Sequence, residues 1–196
     1  MKKISEEEID KIKEEFQYYN FDDFNSKYQL KIKFSPDIDS LTYSDLIYNS
    51  GQVKVYKEKE QQIMSLCYLL LSHIEDDKCV AVKFNEVWFT NRKKSSKLRK
   101  IFHKNHIKLR NTPAIEVDKN SEIMNLLILS SLRYNSFVRF LLLKKRIVFT
   151  VTDHMDIFIN LEKLDDVCFI EQALEEYNEQ IRKELFIIEK NFQMTK

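Results

Sequence analysis

The chain has 196 residues, 43% hydrophobic and 32% charged, the balance of an ordinary globular domain long enough to bury its own core. One glycine and two prolines exclude collagen-like, linker-rich and low-complexity chains. The lone Gly51 also excludes a glycine-rich phosphate cradle and a nucleophile elbow, and thirty-two basic against thirty-one acidic side chains leave only +1.

In chain order, Ser5 with Glu8 three residues on is a capping box. Ile9, Ile12, Phe16 and Tyr19 then follow at helical spacing. Tyr28, Leu30, Ile32 and Phe34 alternate with polar residues and predict a half-buried strand over 28–34, stopped near Pro36. Residues 37–51 give no clear periodicity. Tyr56, Ile63, Cys67, Leu70 and Ile74 mark the buried stripe of a helix over 55–74. Residues 78–90 read as strand, divided near Asn85. A third helix is expected over 95–106, a short strand over 115–117, and a very apolar, deep helix over 121–134. Three strands, 137–143, 147–152 and 156–160, are joined by short turns and predict an antiparallel meander. Ile170, Leu174, Tyr177, Ile181, Leu185, Ile188 and Phe192 suggest a long closing helix over 164–192. The sum is a single α+β domain over 1–196, its helices packed on a mostly antiparallel sheet.

The run Ile147-Val-Phe-Thr-Val-Thr-Asp153-His-Met-Asp156-Ile-Phe-Ile, followed by Leu174-Glu-Glu-Tyr177-Asn178, resembles a family of uncharacterised Gram-positive bacterial proteins, catalogued as a domain of unknown function. Its members place an acidic turn of Asp-Asp-Arg-Gly type between strands and a Tyr-x-x-Tyr-Asn motif on the next helix. Here the turn reads Asp153-His154-Met155 and lacks the Arg-Gly. The likeness covers about residues 146–182 and implies a fold and a bacterial origin, not an activity.

Three cysteines, Cys67, Cys79 and Cys168, without CxxC spacing, fit reduced thiols of a cytoplasmic protein. An acidic start where a signal peptide needs apolar residues, and apolar runs too short for a bilayer, predict no membrane role.

Charge layout is the strongest functional feature. Between Glu86 and Glu116 stand Arg92, Lys93, Lys94, Lys97, Arg99, Lys100, Lys104, Lys108 and Arg110, with no acid. Nine bases against none give the window +9, and the net +1 leaves −8 for the rest. Such a segment can meet phosphates or an acidic protein face, with Trp88, Phe89 and Phe102 placed to stack on bases. Arg99, His103 and His106 also have the spacing of a phosphate-steadying arginine with proton-moving histidines, as in small metal-independent helical ribonucleases. The plainer reading is a basic helix with surface imidazoles.

Asp153, His154 and Asp156 could ligate a metal but are ordinary turn residues, so no metal or cofactor is expected. Phe16, Tyr18, Tyr19, Phe21, Phe24 and Tyr28 form either an exposed aromatic patch or the filling of a helix–sheet junction. The expectation is a non-catalytic interaction protein of inhibitor or immunity type, docking a charged, aromatic-edged surface on a protein. The alternative is a binder, or even a cleaver, of RNA or DNA through residues 92–110.

Overall fold

The computed structural model describes residues 1–23, 25–36, 38, 42–43, 45, 50–74, 78–83, 87–90 and 93–192. Ten strands are β1 Lys2–Ile4, β2 Tyr19–Asn20, β3 Asn25–Ser26, β4 Tyr28–Phe34, β5 Lys78–Lys83, β6 Ala114–Asp118, β7 Val138–Leu142, β8 Ile147–Val151, β9 Ile157–Leu161 and β10 Phe186–Phe192. Five helices among the described residues are α1 Glu6–Glu15, α2 Val53–Ser72, α3 Ser96–Lys104, α4 Glu122–Leu132 and α5 Val167–Gln180. Eight strands form one sheet in the order β1-β6-β5-β7-β8-β9-β4-β10, every neighbouring pair antiparallel. This is the α+β architecture the sequence predicts, with the expected meander β7-β8-β9 at its centre.

Side-chain alternation divides the sheet into two unequal faces. Leu30 and Ile32 of β4, Ala81 of β5, Phe140 of β7, Phe149 of β8 and Ile159 of β9 face the main core, under α2, α4 and α5. Tyr56 on α2 donates its hydroxyl to the Leu132 carbonyl at 2.8 Å, tying α2 to α4. The second face is covered by α1. Ile9 and Phe16 pack there on Val80, Val82, Ala114, Leu141 and Val148. β5 and β7 are therefore buried on both faces, and β4, beyond the reach of α1, alternates buried with half-buried positions.

The capping box of α1 is present: the Ser5 hydroxyl accepts from the Glu8 amide at 3.2 Å, and the Ser5 amide donates to the Glu8 carboxylate at 2.8 Å. Tyr19, expected on the helix face, lies instead in β2. The closing helix is shorter than expected. α5 ends at Gln180, and residues 186–192 form β10, paired along the whole of β4. Arg182 adopts a left-handed φ of 52°, which a continuing helix cannot contain. Asn178 then fixes the turn: its carbonyl oxygen accepts from the Leu185 and Phe186 amides at 3.0 and 3.3 Å, and its amide donates to the Phe186 carbonyl at 3.0 Å. Of the strand expected over 78–90, residues 78–83 form β5, 84–86 lie outside the described residues, and Trp88 sits in a bend. Among the described residues no helix is long and apolar enough to cross a membrane.

Candidate functional site

The basic segment is held in place by its apolar residues. Leu98 and Phe102, four apart on α3, are buried, and Ile107 anchors the chain beyond the helix. Trp88, expected to stack on bases, is 2% exposed. Its indole N–H donates to the Thr112 carbonyl at 2.8 Å, and its ring meets Phe102 edge-on at 5.2 Å. Both rings belong to the main core, Phe102 as the large apolar anchor of α3 and Trp88 packed on it from the segment before. Trp88 is therefore withdrawn from the binding surface, and Phe89 is half-buried against Phe102.

The cations point outward. Lys93, Lys94, Lys97, Arg99, Lys100, Lys104, Lys108 and Arg110 are exposed, and Arg92 lies outside the described residues. On α3 the turn of 100° per residue puts Arg99, Lys100, His103 and Lys104 on the arc opposite Leu98 and Phe102. Lys97 is engaged by Glu122 at 2.5 Å. Lys94 donates to the Tyr43 hydroxyl at 3.0 Å and lies over that ring. Among the described residues, no carboxylate lies within ion-pair distance of Arg99, Lys100, Lys104, Lys108 or Arg110.

Arg99, His103 and His106, the alternative catalytic set, do not share one face. Arg99 and His103 share the exposed arc, but Asn105 ends α3, and His106 follows with a left-handed φ of 57°. The three-residue spacing of the histidines therefore falls across a helix end and gives no common face. Both imidazoles are exposed.

Of the two readings of the N-terminal aromatics, the structure favours the junction. Phe16 and Tyr19 are buried, and the Tyr18 hydroxyl donates to the Arg146 carbonyl. Tyr19 and Phe21 flank the buried Arg139 guanidinium at 6.0 and 5.7 Å. These rings fill the junction between α1 and the second sheet face, the plainer of the two readings; Phe24 lies outside the described residues. The exposed aromatic beside the basic surface is Tyr134, 55% exposed with a left-handed φ of 53°. Thr90 binds it there, its amide donating to the Asn135 carbonyl and its hydroxyl to the Tyr134 carbonyl, each at 2.8 Å. No periodicity marks Tyr134, because its exposure comes from the turn that ends α4. The run Arg133-Tyr-Asn-Ser after an apolar helix was the one available sign of a helix end.

Between α3 and α4 lies a cleft of about 60 Å³, rimmed by Lys94, Lys97, Arg133 and Asn135, with Ser95 and Ser130 in its wall. Arg133 is held by a two-point bond to the buried Glu60, at 2.6 and 2.7 Å. That bond raises the arginine's pKa and fixes its plane. A larger groove, about 790 Å³, lies at the end of β4 and the β8–β9 turn, with Lys31, Lys33, Thr152, His154, Asp156 and Phe158 in its lining. Asp156 is occupied by Lys31 at 2.9 Å. Among the described residues no three His, Cys, Asp or Glu side chains gather as a metal site. Cys67 and Cys79 are buried and Cys168 is exposed; burial pushes the Cys67 thiol pKa up, away from reactivity.

Comparison with protein-family models, curated proteins and solved structures finds no match for this chain.

Proposed function

We propose that the protein is a non-catalytic interaction protein that docks the exposed arc of α3 on an acidic face of another protein, in the manner of an inhibitor or immunity protein. The observation that carries this reading is a set of exposed cations, Arg99, Lys100 and Lys104 on α3 with Lys108 and Arg110 beyond its end. These are exposed cations without carboxylate partners among the described residues, on a backbone anchored by Leu98, Phe102 and Ile107. A partner's carboxylates meet a patch of like charge on an anchored backbone, which speeds encounter and favours an acidic partner. Tyr134, at the end of α4 near Lys94 and Lys97, supplies an exposed aromatic, a residue type that often anchors a protein interface.

Phosphate binding by nucleic acid is the second reading, favoured by the same set of cations. Trp88 and Phe102 are turned into the core, which removes two of the rings that the sequence offered for stacking on bases.

Lys100 and Lys104 are the pair to reverse, because Lys97 is already tied to Glu122. Affinity capture from the native host should return a protein retained by the wild type and lost by Lys100→Glu/Lys104→Glu. Anisotropy with labelled single-stranded RNA and duplex DNA should show no binding at physiological salt. Tight binding to either, with a salt slope flattened by about one unit per reversed contact, overturns the protein reading in favour of nucleic acid.

A further inference from the structure

The chain carries a second block of charge, opposite in sign to the basic segment. Residues 165–181 hold six acids, Asp165, Asp166, Glu171, Glu175, Glu176 and Glu179, and no base. Four of them belong to α5, whose buried stripe includes Ile170, Ala173, Leu174 and Tyr177. On the opposite arc, at 100° per residue, Cys168, Gln172, Glu175 and Glu179 point outward. Glu171 and Glu176 flank that arc and are engaged, Glu171 by Lys190 and Glu176 by His73 at 3.0 Å. Glu175 and Glu179 are exposed and, among the described residues, have no cation within ion-pair distance.

Packing sets the two blocks apart. α5 packs on β10, the last strand of the sheet, and on α2. α2 packs in turn on α4, which lies over β6, β7 and β8, and α3 stands beside α4. The acidic and basic helices thus have α2 and α4 between them, and the ion pairs of each are made with other elements. The net charge of +1 sets up almost no general repulsion between copies, while the two poles attract. The charges also match in spacing. Lys100 and Lys104 on α3, and Glu175 and Glu179 on α5, are each four residues apart, about 6 Å along the helix axis. Two ammonium groups can therefore meet two carboxylates at once, with no existing ion pair to break.

We infer that this chain docks on a second copy of itself, the exposed arc of α5 in one molecule seated on the exposed arc of α3 in another. The inference rests on the reading of α3 as a protein-docking surface, and it names an acidic face which that surface fits. Exposed pairs contribute little singly and are screened by salt, so the contact is weak and yields to a tighter partner. Self-docking then covers the α3 surface until such a partner competes for it.

The test is sedimentation velocity of the full chain at low and high salt, up to about 1 mM protein. The wild type should associate in low salt and return to monomer in high salt. Lys100→Glu/Lys104→Glu and Glu175→Lys/Glu179→Lys should each weaken association by roughly tenfold or more. All four residues are exposed, so both variants should melt close to the wild type. Mixed in equal amounts, the two variants should associate again, because the unchanged α5 of the first meets the unchanged α3 of the second, and the two reversed arcs also fit. The inference is overturned by a wild type that stays monomeric at low salt, by association that Glu175→Lys/Glu179→Lys leaves unchanged, or by a mixture no more associated than its parts. The docking proposal fails separately. Glu175→Lys/Glu179→Lys keeps the α3 arc, so a host protein captured by that variant and lost by Lys100→Glu/Lys104→Glu upholds docking even where the chain is monomeric and self-docking is overturned.

Discussion

Glu8 shows how much one side chain can do at a helix start. Its carboxylate takes the Ser5 amide, the Ser5 hydroxyl and the Lys2 ammonium at once. The Ser5 bonds first, and then Lys2, pull its pKa from 4.5 down to about 2. A carboxyl depressed in the folded state stabilises it above the unfolded pKa, and that contribution disappears as pH falls. Acid titration of the fold should therefore lose stability between about pH 4.5 and 2, and Glu8→Gln should remove that part of the pH dependence while lowering stability at neutral pH. An unchanged acid limb in the variant would refute this. The same scale explains a cost of using one glycine. His106, Tyr134, Arg146, Met155 and Arg182 all take left-handed φ values of 50–60° at element ends, where glycine is the unstrained choice, at about 1 kcal/mol apiece.

At the scale of elements, α5 and β10 show what a periodicity reading can and cannot deliver. Leu174, Tyr177, Ile181 and Leu185 continue at helical spacing past the point where the helix stops. Phe186, Ile188 and Phe192 also fall at even spacing, as one face of a strand allows, and the long-range pairing with β4 decides between the two. Tyr177 and Asn178, which carried the likeness to bacterial proteins of unknown function, have structural work here. Tyr177 donates to the Gln62 carbonyl of α2 at 3.2 Å, and Asn178 binds both backbone directions at the start of β10. Asn178→Ala should cost about 1–3 kcal/mol, read as a shift in the urea midpoint, because it strands three backbone groups at once. A change below a few tenths would mean that β10 is held by its pairing alone. By contrast, β4 was legible from alternation because one of its faces is only half covered. α3 was legible because its two anchors stand four apart. The cleft was not legible: Ser95 and Ser130 are far apart in sequence and meet only through packing.

At the scale of the molecule, the helices occupy one side of the sheet, and α1 with its aromatic hook covers only part of the other. The basic segment belongs to the helical side, and its described cations, Lys93 to Arg110, are exposed there. The sheet also has a graded interior. β6, β5, β7, β8 and β9 come from residues 78–161; β5, β7 and β8 find both neighbours within that block, while β6 and β9 each take one neighbour from outside it, β1 and β4. β1 and β10 lie at the edges, and β4 reaches β9 across more than a hundred residues, Tyr28 opposite Leu161. Amide hydrogen exchange should be slowest in β7 and β8 and fastest in β1 and β10. Equal protection across all eight strands would show that the sheet opens as one unit.

The placement of β4 matters before the protein is finished. Its residues leave the ribosome early, as an alternating apolar strand with both edges unpaired, while β9 and β10 are still to be made. For most of synthesis this segment is a sticky template with nothing to bind, and closing the loop to β9 is a slow, entropically costly step. Lys31 and Lys33, on its more open face, keep charge on that strand through the wait, which is how natural edges discourage pairing with the wrong chain.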